Sequence, residues 1–113
     1  MFFQQIYDKS LAIMNSIMPA TNAVDFKTLI SEGAIIVDVR TPEEFLSGHI
    51  KGSTNIPLGE IKNKTAMLKA MKKTIITCCR SGSRSEIGKS ILESKGIECY
   101  NGGSWGSLEN KIL

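Results

Sequence analysis

Short apolar runs rich in β-branched residues alternate along this chain with segments of helical periodicity. Runs of this kind are typical of strands in a sheet whose faces are both covered. The predicted strands are residues 35–39, 53–56, 74–78 and 97–100, and the predicted helices are 25–32, a short one after Thr41, 58–72, 84–95 and 105–113. The alternation predicts an α/β fold around a mostly parallel sheet.

Local signals mark the ends of several predicted helices. Asp25 is a typical N-cap, and Thr41 with Glu44 forms a capping box that is followed by Gly48. Gly102 and Gly103 predict a turn between the last strand and the last helix. We expect the inward apolar side chains of the two central helices to be Leu58, Ile61, Met67, Leu68, Met71, Ile87, Ile91 and Leu92.

The length of 113 residues suits a single domain, which we place at residues 21–113. Residues 1–20 predict an amphipathic helix or extension, because Asp8 and Lys9 interrupt its apolar residues. The same charges argue against a standard secretory signal, although a non-standard export signal stays an alternative. No apolar run reaches the roughly 18 residues that a membrane-spanning helix needs, so we expect no membrane span.

The formal net charge of +3 conceals an uneven distribution. Residues 62–89 contain eight basic residues and only Glu86 as an acid, a net charge of +7. This segment is either a solvated basic face or the surroundings of a site for an anion. Nothing in the composition points to a nucleic-acid partner.

Candidate chemistry lies where the strand at 74–78 runs into the helix at 84–95. A loop of small residues at the carboxyl end of a parallel strand converges its N–H groups on one point, and the following helix adds its positive end. Cys79 opens this loop and Arg80 and Arg84 flank it, so we expect a lowered pKa and a nucleophilic thiolate. The alternative is a small buried cysteine with no chemical role.

The number of residues in the loop indicates which kind of electrophile Cys79 would attack. Four residues separate Cys79 from Arg84, one fewer than in a Cys-x5-Arg phosphatase loop. The smaller cradle favours a sulfur atom carried on cysteine over a phosphate group. A small cysteine phosphatase or arsenate reductase therefore stays as an alternative, not as the leading hypothesis.

Several motifs in order along the chain resemble those of a single-domain rhodanese, a member of the rhodanese-like sulfurtransferase family. The matching segments, which span about residues 22–110, are 37–45, 48–57, 79–85 and Gly102-Gly103 with Trp105. The resemblance implies a three-layer α/β domain and a thiosulfate sulfurtransferase-like enzyme that needs no cofactor. Lys51 and Cys78 depart from the usual pattern without altering the nucleophile or the loop length.

The resemblance also implies roles for individual residues. Cys79 would be the catalytic cysteine that carries sulfur as a persulfide. The backbone of the substrate-binding loop, Arg80, Ser81, Gly82, Ser83 and Arg84, would hold that persulfide, and the two arginines would attract the donor. Asp38 and Arg40 would support the site, with Asp38 paired to a loop arginine. Because no acidic partner or second base stands near His49 in the sequence, we expect that residue to support the site by ordering the loop through hydrogen bonds.

The remaining cysteines and the single histidine suggest no metal site. Cys78 and Cys99 lie in predicted strands and we expect both in the core, with Cys78 pointing away from Cys79 because side chains alternate along a strand. One histidine and three scattered cysteines lack the spacing of a zinc site.

Three functions remain open. The leading one moves sulfane sulfur from an anionic donor such as thiosulfate to a thiol or cyanide. The second is a sulfur-carrier or protein-binding module, in which Cys79 exchanges sulfur with a sulfur-relay protein and free thiosulfate is a poor donor. The third is the small cysteine phosphatase or arsenate reductase. A free reactive thiolate suggests the cytoplasm, with the periplasm as the alternative.

Overall fold

A parallel sheet of four short strands forms the centre of the domain, in the order β2-β1-β3-β4. The computed structural model describes residues 23–113, so the helix predicted within residues 1–20 lies outside the described residues. The strands are β1 (Ile35–Asp38), β2 (Thr54–Asn55), β3 (Ile75–Cys79) and β4 (Cys99–Ser104). The helices are α1 (Phe26–Ser31), α2 (Pro42–Leu46), α3 (Ile61–Met71), α4 (Ser83–Ser94) and α5 (Trp105–Ile112), with a 3₁₀ turn at Leu58–Glu60.

The central strand β3 is buried on both faces, as its unbroken apolar run predicts. Ile75 and Cys79 pack with apolar residues of α3 and α4 on one face of the sheet. Ile76 and Cys78 pack on the other face with residues of α1 and α5. The three-layer α/β architecture and the opposite orientation of the two adjacent cysteines are therefore confirmed.

The predicted helix caps are present. Thr41 and Glu44 form a reciprocal capping box at the start of α2, in which Glu44 Oε1 accepts a 2.9 Å hydrogen bond from the backbone N–H of Thr41. Asp25 caps α1 by accepting from the N–H of Thr28. These contacts join residues three apart, so the local sequence suffices to predict them.

The predicted inward faces of α3 and α4 are partly wrong. Ile61 and Leu68 are buried, but Met67 and Met71 are 50% and 41% exposed. At 3.6 residues per turn, Met67 and Met71 lie about 120° and 80° around the helix from Ile61. Thr65, four residues after Ile61, completes the buried stripe instead.

The predicted inward face of α4 is also partly wrong. Ile87 is 53% exposed, and the buried side of this helix is formed by Ser85, Gly88 and Leu92. Small residues at this interface let α4 approach the sheet closely; a Cβ atom at Gly88 would lie 3.4 Å from Val39 Cγ1. The apolar pattern alone did not indicate that small residues would form the contact face.

The predicted turn at Gly102 and Gly103 is also wrong, because β4 continues through both residues to Ser104. A register shift in the pairing of β3 with β4 brings Ser104 opposite Cys79. A Cβ atom at Gly102 would lie 2.8 Å from Leu108 Cδ2 and 3.0 Å from Ile76 Cγ2. Glycine is therefore required here so that α5 can pack against the sheet.

Within residues 23–113, no helix is long and apolar enough to cross a membrane.

Candidate active site

Cys79 ends β3, and the loop that follows it curls back over its sulfur atom. Cys79 Sγ accepts a hydrogen bond from the N–H of Gly82 at 3.0 Å and one from the N–H of Ser85 at 3.4 Å. Ser85 Oγ lies 3.4 Å from the same sulfur. Gly82 makes this curl possible through its left-handed backbone, with φ of +104°. The thiol is thus surrounded by donors, and Cys79 is fully buried beneath them.

Two opposing effects act on the pKa of the Cys79 thiol. Burial raises the pKa, but the Ser85 hydroxyl and the N–H groups of Ser85, Gly82 and Ser81 outweigh it, so the pKa lies below its ordinary value. At Cys78 and Cys99 the effect of burial dominates, and it raises the pKa of each thiol to about 12. The predicted lowering at Cys79 is therefore present, although neutral donors lead it rather than the charges of the arginines.

Asn101 on β4 fastens this loop to the sheet. Asn101 Nδ2 donates to the carbonyl oxygen of Gly82 at 3.1 Å and to Glu86 Oε1 at 3.1 Å. Its Oδ1 accepts from the N–H of Gly103 at 2.9 Å and from the Ser85 hydroxyl at 2.7 Å. Asn101 was not among the residues predicted for the site; its place directly before the two glycines, just after the predicted strand 97–100, was the available signal.

Arg84 is held by an acid from another part of the chain. Its guanidinium forms a two-pronged ion pair with the Glu44 carboxylate, with distances of 2.8 Å and 3.0 Å. The hydrogen bonds from Arg84 lower the pKa of Glu44 to about 2. The sequence predicts Glu44 only as a capping residue, whereas this second contact brings α2 against the start of α4.

The predicted pair between Asp38 and a loop arginine is wrong. Asp38 instead pairs with Arg40, whose Nη2 lies 2.7 Å from Asp38 Oδ2, and both side chains are buried. The guanidinium of Arg40 also donates to the carbonyl oxygens of Glu44 and Gly48. A residue two positions away on the same strand end satisfies Asp38, so no loop arginine needs to enter the core.

Arg40 therefore supports the loop indirectly. It fixes the backbone of α2, and α2 carries the Glu44 side chain that binds Arg84. The Arg40 guanidinium also lies 4.8 Å from the centre of the Trp105 ring, a cation–π contact at the start of α5. The buried pair thus connects three elements that surround the loop.

His49 does not order the loop, contrary to prediction. Its Nδ1 is 2.7 Å from the carbonyl oxygen of Phe45, and its ring stacks on the Phe45 ring with centroids 3.6 Å apart. His49 is exposed, and in the part of the chain that the structure describes it forms no hydrogen bond with residues 79–84. Both of these contacts are with Phe45, near the C-terminal end of α2.

A cleft of about 310 Å³ opens beside the loop. It is lined by Arg40, Glu44, Ser47, Arg80 and Trp105. Arg80 is exposed, and among residues 23–113 its side chain forms no ion pair. Ser81 and Ser83 are exposed as well, with their hydroxyl oxygens 3.5 Å apart. The described residues contain no group of three or more His, Cys, Asp or Glu side chains that could hold a metal ion.

The fold and the loop together define an α/β protein that holds a cysteine of lowered pKa among backbone amides at the carboxyl edge of its sheet. The model of the rhodanese-like domain matches residues 22–106. The chain belongs to this family, whose members include sulfurtransferases and sulfur carriers, and the resemblance found in the motifs is confirmed.

Curated relatives and solved structures agree with this assignment. The chain is 38% identical over 61 residues to "Thiosulfate sulfurtransferase PspE" of Escherichia coli, covering 53% of this chain and 59% of that protein. It is 33% identical over 85 residues to "Putative sulfur carrier protein YrkF" of Bacillus subtilis, covering 74% of this chain and 45% of that protein. The chain thus spans about half the length of these relatives.

Among solved structures, the chain is similar to a rhodanese from E. coli determined with anions. The two share 30% sequence identity and a TM-score of 0.60, over 66% of this chain and 91% of that one. A rhodanese-like protein of Thermoplasma volcanium gives the same TM-score at 30% identity, over 70% of this chain and 80% of the other. Both similarities support the described topology.

Proposed function

We propose that this protein is a sulfurtransferase that moves sulfane sulfur through a persulfide on Cys79. The observation that carries the proposal is the position of Cys79 Sγ, which accepts from the N–H groups of Gly82 and Ser85 and has a lowered pKa. Donors that lower the pKa of a thiol increase its thiolate fraction, and the thiolate is the nucleophilic form, so the proposed reaction uses no separate general base. The relative named as a thiosulfate sulfurtransferase supports an anionic donor such as thiosulfate.

The proposed reaction consists of two displacements. The Cys79 thiolate attacks the outer sulfur of thiosulfate; the sulfur–sulfur bond of the donor breaks, and its electron pair leaves with sulfite. The N–H groups of the loop then stabilise the negative outer sulfur of the Cys79 persulfide. A thiolate or cyanide acceptor attacks that outer sulfur, and the electron pair of the broken bond restores the Cys79 thiolate. Because Cys79 is fully buried, we infer that part of the loop moves aside in each step.

The test is mass spectrometry of the intact protein after exposure to thiosulfate, together with the rate of thiocyanate formation from cyanide. We expect one added sulfur atom on the wild type and none on Cys79→Ser. The matched control is Cys78→Ala, which removes the neighbouring thiol on the opposite face of β3 and should still gain the sulfur. An added sulfur or thiocyanate production that persists in Cys79→Ser would refute the proposal.

A sulfur-carrier function is the second candidate, and two observations favour it. The chain matches a relative named as a putative sulfur carrier over 74% of its length. The complete burial of Cys79 would also slow reaction with a small donor in solution. A carrier would gain sulfur on Cys79 but form little thiocyanate from thiosulfate, and it would pass the sulfur to a sulfur-relay protein.

The phosphatase hypothesis has less support. The side chain of Arg84, which would have to hold a phosphate, is already occupied by Glu44. Hydrolysis of an aryl phosphate by the purified protein would revive it. All three cysteines are free thiols, which supports a reducing compartment such as the cytoplasm as the place of action.

A further inference from the structure

The charges around the cleft beside the loop almost cancel. Two of the three arginines near it are already paired, Arg40 with Asp38 and Arg84 with Glu44. Arg80 is the remaining charged residue of the cleft lining, and it forms no ion pair within residues 23–113. Arg80 is therefore the one charged side chain of the cleft lining that no carboxylate among residues 23–113 compensates, and the Cys79 thiolate of the proposed reaction adds a negative charge beside it.

Glu44 causes this balance. Its carboxylate lines the cleft and accepts both hydrogen bonds from Arg84, at 2.8 Å and 3.0 Å. It also accepts from the N–H of Thr41, so its position is fixed by the start of α2. Glu86, the acid in the first turn of α4, is bound to Asn101 and does not line the cleft. Glu44 thus lies in the lining of the cleft that opens beside Arg80, the first residue after Cys79.

Resting on the proposed sulfur transfer, we propose that Glu44 is a specificity-determining residue that selects donors with a single negative charge, such as thiosulfonates and organic persulfides, over dianionic thiosulfate. Arg80 offers one positive charge that can pair with one negative charge on the donor. A second negative charge is not compensated and meets the Glu44 carboxylate, which repels it. The pairing with Arg84 makes the selection possible, because it removes the arginine that would otherwise bind the second charge.

A matched pair of donors isolates this effect. Thiosulfate carries two negative charges and releases sulfite, whereas methanethiosulfonate carries one and releases methanesulfinate. In both donors the Cys79 thiolate attacks the outer sulfur, the sulfur–sulfur bond breaks, and its electron pair leaves with the sulfur oxyanion. The quantity to measure is the ratio of kcat/KM for thiosulfate to kcat/KM for methanethiosulfonate, with cyanide as acceptor.

The variant Glu44→Gln removes the charge and keeps the shape. Glutamine also completes a capping box, so α2 should remain intact. We expect the ratio to rise about three- to tenfold, the effect of one charge at a partly exposed site, and the rise should shrink at high salt. Glu43→Gln is the matched control: Glu43 is the exposed neighbour in the same turn, and its loss changes the net charge equally.

A second set of variants tests the pairing itself. Arg84→Gln leaves the Glu44 charge unpaired, so the ratio should fall below that of the wild type. The double variant of Glu44→Gln with Arg84→Gln should return the ratio close to the wild-type value. An unchanged ratio in Glu44→Gln, an equal rise in Glu43→Gln, or equal loss of activity towards both donors would overturn the proposal. If instead the wild type took no sulfur from either donor, the proposed sulfur transfer itself would fail.

Discussion

The hydroxyl of Ser85 offers a direct test of how the loop lowers the pKa of Cys79. This hydroxyl has one proton and three nearby acceptors: Asn101 Oδ1 at 2.7 Å, the carbonyl oxygen of Gly82 at 3.0 Å and Cys79 Sγ at 3.4 Å. While Cys79 is a thiol, we expect the proton to point to Asn101. Once Cys79 ionises, the charged sulfur becomes the stronger acceptor and the proton turns to it.

The variant Ser85→Ala removes this donor and leaves the N–H of Gly82, at 3.0 Å, in place. A hydrogen bond to a charged group contributes roughly 1.5–3 kcal/mol, and the long 3.4 Å separation from sulfur puts this one at the lower end. We therefore expect the acid dissociation constant of the Cys79 thiol to fall about tenfold, since about 1.4 kcal/mol corresponds to a factor of ten. The pKa of Cys79 thus rises in the variant.

The assay is the ultraviolet absorbance of the thiolate as a function of pH, with Cys79→Ser subtracted. The absorbance does not require a reagent to reach the buried sulfur. Cys78 and Cys99 do not interfere, because burial raises the pKa of each to about 12. Ser83→Ala is the control, since the Ser83 hydroxyl is exposed and its hydrogen-bond partner is Ser81. An unchanged or lower pKa in Ser85→Ala would show that the proton stays with Asn101, and the reasoning would fail.

Two further predictions concern the ion pairs that surround the loop. Arg40→Met should lower the free energy of unfolding by about 3–5 kcal/mol, because it leaves the buried Asp38 carboxylate without its partner. Urea denaturation measures this change. A loss below about 1 kcal/mol would contradict the assigned role of Arg40. Glu44 has a pKa of about 2 in the folded protein against an ordinary 4.5, so the unfolded chain takes up its proton first as the pH falls. The stability advantage of the wild type over Glu44→Gln should therefore be present above pH 4.5 and disappear as the pH falls towards 2. A difference in the free energy of unfolding that stays constant over that range would contradict the ion pair.

Local sequence was sufficient for the first three strands, the caps and the position of the loop, but not for the end of β4. The apolar run around β3, the capping box of Thr41 and Glu44, and the step from Cys79 into Gly82 and α4 each depend on residues a few positions apart. Steric and hydrogen-bonding preferences at that range act within the segment itself. The same local pattern misplaced Met67, which lies about 120° around α3 from Ile61. It misplaced Ile87 because small residues such as Gly88 form the side of α4 that faces the sheet.

The electrostatics of the site were decided by tertiary structure. Arg84 binds Glu44 from 40 positions away, and Ser85 binds Asn101 from 16 positions away. Long charged side chains have several acceptors within reach, and only the packing of α2 and β4 against the loop determines which of these lies nearby. The sequence by itself thus predicted the fold and placed a candidate nucleophilic cysteine in a loop that is basic in composition. Only the folded chain paired Arg84 with Glu44, which leaves Arg80 as the arginine of the cleft lining without an ion pair among residues 23–113.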